Sequence, residues 1–226
     1  MDLVIFDLGG TTIRDTGLVP QALTAALQAG GFEVTPAQLS QARGASKREV
    51  IRRFLEGRFQ PGDPQIEAAA KHIFADFQAR LAGGFAAGGA LPIPGAAETF
   101  AWLRRHRILI AFNTGFDRAI TTLVLSALHW DTDVAAAVVC GDDVAQGRPA
   151  PYMIFHAMEA AGVTGVSRVA VVGDTVLDLQ AGANAGVRWN IGVLSGAHSR
   201  AQLEAAPHTV LLPSVAELPA LWPEIP

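Results

Sequence analysis

The chain has 226 residues, of which 50% are hydrophobic and 17% are charged. That length suits one domain with an added module, and it is enough for a sizeable buried core. A net charge of −4 argues against a basic nucleic-acid-binding surface. The single cysteine, Cys140, excludes an internal disulfide and Cys-X-X-Cys zinc sites. The sequence shows neither a signal peptide nor a membrane-spanning run, so we expect a cytoplasmic protein without nucleic-acid or membrane partners.

Short apolar runs alternate with helical patterns along much of the chain. The predicted strands are residues 3–6, 108–112, 134–140, 169–172 and 189–193. Helical patterns lie between the later strands, at residues 96–105, 119–128, 151–161 and 178–185. Continuous apolar strands separated by helices are typical of a parallel sheet covered on both faces. We therefore predict an α/β, Rossmann-like core whose functional residues follow the carboxyl ends of the strands.

Residues 15–90 interrupt this alternation. Four helical patterns follow one another there without a strand between them, at residues 22–29, 36–43, 47–55 and 65–81. We predict an inserted helical cap domain over residues 15–90 and a core domain formed by residues 1–14 and 91–226. The stretch 83–95 is rich in Gly and Pro, which predicts a return linker whose low-complexity part acts as a hinge.

Polar residues follow the first two predicted core strands. Asp7 ends the first strand and precedes glycines, a pattern that offers a nucleophile or metal ligand beside the open backbone N–H groups of Gly10 and Thr11. The alternative is a turn in which Asp7 only caps a helix. Thr114 and Gly115 follow the second strand, where a hydroxyl and a glycine N–H at a helix start suit phosphate binding. An ordinary helix N-cap explains the same pair equally simply.

The third and fourth candidates lie further along the chain. Arg148 sits in the segment 147–151, whose two prolines hold the chain rigid, and a fixed guanidinium suits a phosphoryl or carboxylate group. A surface arginine ahead of a helix is the alternative. Asp174 and Asp178 lie four residues apart across a strand-to-helix turn. A pair of buried carboxylates needs a cation, and hard oxygen ligands that leave room for water and phosphate suit Mg²⁺.

These four strand ends supply a nucleophile, a hydroxyl, a cation and a carboxylate pair in that order. The order, together with a helical insertion between the first two motifs, resembles the haloacid dehalogenase superfamily over essentially the whole chain. The resemblance implies a Mg²⁺-dependent hydrolase with an aspartyl nucleophile at Asp7 and an aspartyl-phosphate intermediate. It implies phosphate-binding residues Gly10, Thr11, Thr114, Gly115 and Arg148. It implies metal-site residues Asp7, Gly9, Asp174 and Asp178.

Two positions indicate which branch of the superfamily the chain resembles. Most phosphatases of this superfamily carry an acid two residues after the nucleophile, but here that position is Gly9, which cannot transfer a proton. Arg148 stands where most members have Lys. Both features resemble the phosphonatase branch, and so does the run Val172–Asp178. Phosphonatases carry a Schiff-base lysine in the cap, and Lys47, one of only two lysines in the chain, occupies the matching place.

The chemistry of a Schiff base explains this combination. A carbon–phosphorus bond breaks only when the departing carbon can hold an electron pair, and an iminium beside that carbon accepts one. We expect cleavage of a 2-oxoalkylphosphonate such as phosphonoacetaldehyde, with Asp7 and Lys47 as catalytic residues. Val50 stands where phosphonatases have His, so Lys47 as a simple substrate-orienting cation stays open. The alternatives are a phosphatase for a small phosphate monoester and a non-catalytic phosphoryl-binding protein; the sequence leaves a homodimer open.

Overall fold

The core of the protein is a six-stranded parallel sheet. The computed structural model describes residues 1–60, 62–130 and 134–224. Within these residues the strand order is β3-β2-β1-β4-β5-β6, with all neighbours parallel. The strands are β1 (Leu3–Phe6), β2 (Leu109–Asn113), β3 (Ala137–Val139), β4 (Val169–Gly173), β5 (Trp189–Val193) and β6 (Val210–Leu212). The predicted α/β fold is confirmed.

Helices cover both faces of the sheet because the buried strands are apolar on both sides. Leu3 and Ile5 of β1 pack in one cluster with Met153 and Ala157, whereas Val4 and Phe6 pack in another cluster with Phe100. Successive side chains of a strand point to opposite faces, so β1 contributes to both clusters. The covering helices are α5 (Ala96–Arg105), α6 (Arg118–Leu128), α7 (Tyr152–Ala160), α8 (Val176–Ala185) and α9 (Arg200–Glu204).

Four helices lie between β1 and β2. They are α1 (Leu18–Ala29), α2 (Pro36–Gln41), α3 (Lys47–Glu56) and α4 (Gln65–Gly84). α4 packs against both α1 and α3, and Leu27, Ile51 and Phe77 are buried at these contacts. We call residues 15–90 the helical insertion. None of the helices described in the structure is long and apolar enough to cross a membrane.

The glycine-rich return segment differs from the predicted linker. α4 continues to Gly84 and is followed directly by a π-helical turn, Phe85–Gly89. A Cβ on Gly84 or Gly89 would collide with the Leu18 side chain. Gly88 adopts a φ of 89°, which favours glycine. Gly84 and Gly89 therefore allow α1 and the end of α4 to approach closely, and only residues 90–95 connect the π-helical turn to α5.

The two chain segments that join the insertion to the sheet run side by side. The N–H of Arg14 donates to the Leu91 carbonyl at 2.8 Å, and the N–H of Ile93 donates to the Thr12 carbonyl at 2.8 Å. Ile13 and Pro92 form an isolated antiparallel bridge between these bonds. The chain thus leaves the sheet and returns to it through one hydrogen-bonded pair of segments.

Candidate active site

The candidate residues meet at the carboxyl edge of the sheet, as predicted for a parallel sheet. β1 lies between β2 and β4, so the loops after these three strands are neighbours. Asp7 follows β1, Thr114 follows β2 and Asp174 follows β4. All three residues are buried. The N–H of Asp7 donates to the Val172 carbonyl at 2.9 Å, which holds the nucleophile candidate against the neighbouring strand.

Asp7 is paired with Arg148. One guanidinium nitrogen lies 2.8 Å from Asp7 Oδ1, and both side chains are almost completely buried. Burial raises the pKa of Asp7 to about 7, and the nearby Asp178 adds to the rise, whereas Arg148 opposes it. Arg148 is therefore the group that keeps a buried carboxylate available in its charged, nucleophilic form near neutral pH.

Arg148 connects three of the loops. Its Nη2 also donates to the backbone oxygen of Asn113 at 2.9 Å and to the Asn113 side-chain oxygen at 2.8 Å. Its Nη1 lies 2.6 Å from Asp178 Oδ1. Only a planar fork can reach these groups at once, since an ammonium presents its three donors from a single point. Arg148 Nε has no partner among the described residues, which leaves one buried donor for a bound anion.

The two acids after β4 have different partners. Asp174 accepts from the Thr11 hydroxyl at 3.0 Å and from the Ala197 N–H at 2.6 Å. Asp178 accepts from the Thr175 N–H at 3.0 Å and from its hydroxyl at 2.5 Å, in a capping box that begins α8. Burial raises the pKa of Asp174 well above its usual range, and the charges of Asp7 and Asp178 raise it further.

The chemistry of this site fits a hard divalent cation. Three buried carboxylates, Asp7, Asp174 and Asp178, face the single guanidinium of Arg148, which leaves an excess of negative charge. The predicted metal residues Asp7, Asp174 and Asp178 all bring carboxylate oxygens to this region, and Asp7 and Asp178 also contact Arg148. In the described part of the chain no three acidic, His or Cys side chains form a closed metal cluster. Carboxylates completed by water suit Mg²⁺, which keeps several waters when bound.

Lys47 reaches the same cavity from the helical insertion. It is the first residue of α3, and its Nζ donates to the Ala42 carbonyl at 3.0 Å and to the Ala45 carbonyl at 2.8 Å. Lys47, Asp7 and Arg148 line one cavity of about 110 Å³. Burial lowers the pKa of Lys47 to about 8; Arg148 contributes to the decrease, and the charge of Asp7 opposes it. The lowered pKa makes the neutral, nucleophilic form of this amine more accessible near neutral pH than that of an ordinary lysine.

Packing does not require a glycine at position 9. A Cβ there would meet only the ring of Phe116, at an ordinary distance of 3.8 Å. The backbone of Gly9 is not in the left-handed region, in contrast to Gly10 with a φ of 89°. The fold therefore has room for a side chain at position 9, and the absence of an acid there is a property of the site's chemistry.

The comparisons with known proteins agree with this geometry. A family profile described as "haloacid dehalogenase-like hydrolase" matches residues 1–186. The chain belongs to the haloacid dehalogenase-like hydrolases. Among its relatives, the phosphonoacetaldehyde hydrolase of Latilactobacillus sakei is 30% identical over 95% of this chain and 85% of the relative. The phosphonoacetaldehyde hydrolase of Bacillus cereus is 30% identical over 87% of this chain and 76% of the relative. The predicted resemblance to the phosphonatase branch is confirmed.

Solved structures of haloacid dehalogenase-like hydrolases and related proteins share the fold. A phosphonoacetaldehyde hydrolase-like protein from Oleispira antarctica is 25% identical, with a TM-score of 0.82, over 99% of this chain and 92% of the other. A hydrolase from Pseudomonas syringae is 23% identical, with a TM-score of 0.83, over 100% of this chain and 99% of the other. The similarity therefore includes the helical insertion as well as the sheet.

Some predicted site residues of this haloacid dehalogenase-like hydrolase are placed differently from the expectation. The N–H of Gly10 donates to the Ile13 carbonyl and that of Thr11 to the Leu8 carbonyl, at 2.6 and 3.3 Å, so both are used within the turn. Gly10 and Thr11 therefore support Asp174 and the loop rather than offering free donors to a phosphate. Thr114 and Gly115, by contrast, line the cavity as expected.

The structure adds Glu49, which the sequence did not single out, and shows an additional contact of the predicted Gly115 with the insertion. Glu49 lies in the first turn of α3 and accepts a hydrogen bond from the Gly147 N–H at 3.1 Å. This bond joins the insertion to the loop that carries Arg148. Gly115 lies next to the Ala45 backbone, and a Cβ on it would meet the Ala45 carbonyl at 3.4 Å. An acid in the first turn of a helix is usually explained by the helix dipole, so the sequence carried no distinctive signal for Glu49.

Proposed function

We propose that this hydrolase is Mg²⁺-dependent and cleaves the carbon–phosphorus bond of a 2-oxoalkylphosphonate such as phosphonoacetaldehyde. The observation that carries the proposal is Lys47, an amine with a lowered pKa, lining the same cavity as the Asp7 carboxylate. An acid for an oxygen leaving group is absent at Gly9, although there is space for one. Relatives named phosphonoacetaldehyde hydrolase, at about 30% identity, support this substrate class.

The proposed reaction begins at Lys47. Its neutral amine adds to the substrate carbonyl, and loss of water gives an iminium. A carboxylate oxygen of Asp7 then attacks phosphorus while the carbon–phosphorus bond breaks. The bonding electron pair moves into the adjacent carbon–carbon bond, and the iminium becomes an enamine, so a leaving-group acid is unnecessary. Protonation of the enamine carbon and hydrolysis of the resulting iminium release the dephosphonylated carbonyl product and restore Lys47.

Hydrolysis of the phosphorylated Asp7 completes the cycle. Water attacks phosphorus, inorganic phosphate leaves and the Asp7 carboxylate is restored. Arg148, Thr114 and Gly115 bind the phosphoryl oxygens, and the unpartnered Nε of Arg148 is one donor for them. Asp7, Gly9, Asp174 and Asp178 would hold Mg²⁺, which would neutralise the negative charge on the phosphoryl group.

A second function is hydrolysis of a small phosphate monoester, of the phosphoglycolate or sugar-phosphate type. The observation that favours it is Val50, which stands where phosphonatases have His and is buried in the insertion. An apolar side chain there cannot relay protons to a Schiff base. In this alternative Asp7 forms the same aspartyl-phosphate, and Lys47 only orients the substrate.

Borohydride trapping separates the two functions. The protein is incubated with Mg²⁺ and phosphonoacetaldehyde, reduced, digested and analysed by mass; the proposal expects a reduced adduct on the peptide that contains Lys47. Lys47→Arg should keep the charge and lose both the adduct and phosphate release from the phosphonate. Lys71→Arg is the matched control, because Lys71 is the other lysine and is exposed on α4. Phosphonate cleavage by Lys47→Arg, or turnover of phosphate esters alone, would overturn the proposal.

A further inference from the structure

The cavity continues beyond Lys47 along an apolar wall. Four of its residues come from the first two helices of the insertion, one from the π-helical turn and one from the loop after β2: Leu18, Val19, Leu23, Leu39, Phe85 and Phe116. We call these six residues the apolar subsite. Neither the proposed attack of Asp7 nor the proposed iminium at Lys47 uses any of them.

The charged residues near the apolar subsite are paired or point to solvent. Arg43 Nη1 lies 2.5 Å from Asp15 Oδ2, so these two side chains neutralise one another. Arg14 is exposed, and its Nε donates to the Pro92 carbonyl at 3.2 Å. Arg14, Asp15 and Arg43 line the same cavity, and Arg14 has no acidic partner among the described residues. A ligand group that lies against these six side chains of the apolar subsite therefore meets mainly carbon atoms.

Phe85 and Phe116 form the contact between the two sides of this wall. Their ring centroids are 6.1 Å apart, in an edge-to-face arrangement. Phe85 is buried and belongs to the insertion, whereas Phe116 is half-buried and precedes α6. Phe116 also lies next to Gly9, at the side of the reacting centre. The apolar surface is thus continuous from the reacting centre to the insertion.

We propose that the apolar subsite binds an uncharged, apolar substituent on the carbonyl carbon of the substrate. The substrate class is then a 2-oxoalkylphosphonate in which an alkyl or aryl group replaces the aldehyde hydrogen of phosphonoacetaldehyde. This inference rests on the proposed function for the position of the carbonyl at Lys47. Polyhydroxylated substituents are disfavoured against this wall, because hydroxyl groups that face its carbon atoms would lose their hydrogen bonds to water.

Unreactive ligands test the subsite separately from the reaction. Methyl-, propyl- and pentylphosphonate lack the carbonyl, so they cannot form an iminium, and their binding to the protein with Mg²⁺ is measured by titration calorimetry. Full burial of each methylene tightens binding by about fourfold, so Kd should fall from methyl to pentyl. 2,3-Dihydroxypropylphosphonate should bind more weakly than propylphosphonate. A Kd that does not change with chain length, or tighter binding of the dihydroxy ligand, would overturn the inference.

Substitutions in the apolar subsite test whether the chain-length dependence of Kd arises there. Leu39 and Val19 are only partly buried, so Leu39→Asn and Val19→Asn should fold and should remove most of the chain-length dependence while methylphosphonate binds as before. Leu91→Asn is the control, since Leu91 is 44% exposed and does not line the cavity. A preserved chain-length dependence in both subsite variants would also overturn the inference.

Turnover distinguishes this inference from the proposed function. If phosphonoacetaldehyde is cleaved but Kd is independent of chain length, the apolar subsite is wrong and the proposed function stands. If Kd falls with chain length but no 2-oxoalkylphosphonate is cleaved, the proposed function fails and the subsite stands as an apolar site beside a phosphoryl site. Faster kcat/KM for 4-phenyl-2-oxobutylphosphonate than for phosphonoacetaldehyde, lost in Leu39→Asn, would support both.

Discussion

Replacing Lys47 by Met should stabilise the protein at neutral pH while abolishing phosphonate cleavage. Burial lowers the pKa of Lys47 from 10.5 to about 8. Each pKa unit corresponds to about 1.4 kcal/mol, so holding this amine in its charged form at pH 7 costs about 3 kcal/mol. Lys47 keeps some contact with solvent, and Met leaves two carbonyl acceptors without their donor. We therefore expect a net gain of about 1 kcal/mol in the free energy of unfolding at pH 7.

The pH dependence of this gain is the sharper test. The folded pKa lies below the unfolded one, so the folded state binds fewer protons between pH 8 and 10.5. The stability of the wild-type protein therefore rises with pH relative to Lys47→Met. Urea unfolding at pH 7 and at pH 9 should show the difference between the two proteins shrink by about 1 kcal/mol. Lys71→Met should show no such change, and a constant difference for Lys47→Met would refute the reasoning.

The other predictions concern the core residues and the insertion. Asp7→Asn should lower phosphate release by at least about a thousandfold, without lowering Tm, because an amide is a poor nucleophile but a good buried neighbour; activity within tenfold of wild type would remove Asp7 from the mechanism. Arg148→Lys should weaken binding of inorganic phosphate in calorimetry although the charge is kept, since the fork to Asn113 and Asp178 is lost; unchanged binding would show that charge alone matters. Adding Mg²⁺ and vanadate should reduce the radius of gyration in solution scattering if the insertion closes as a unit, and Glu49→Gln should diminish the change.

The sequence alone predicted that Asp7, Thr114, Arg148 and Asp174 lie close together. Each of them follows a strand or precedes a helix that apolar patterning reveals, and a parallel sheet collects such positions at one edge. The short edge strand β6 was not predicted, because three residues at the end of a sheet carry too little apolar pattern. The predicted third strand, residues 134–140, is reduced to Ala137–Val139, because a run that is apolar throughout does not show where pairing with β2 begins and ends.

The contacts of the apolar subsite could not be predicted from the sequence. Phe85 and Phe116 lie 31 residues apart in the chain and meet only through the packing of the insertion on the sheet. The glycines near Phe85 favoured a flexible segment, whereas Gly84 and Gly89 make room for Leu18. The sequence shows where the glycines are, but it does not show which side chain packs against them.

The paired segments at Arg14 and Leu91 bear on how this protein could acquire new substrates. Because the chain departs and returns at hydrogen-bonded neighbours, a graft of another helical module between these two residues would need no change in the strands. The residues proposed to bind the phosphoryl group lie outside the helical insertion, whereas Lys47 and most of the apolar subsite lie within it. Such a graft would leave Asp7 and its neighbours in place and would replace both the apolar subsite's helices and the proposed Schiff-base lysine.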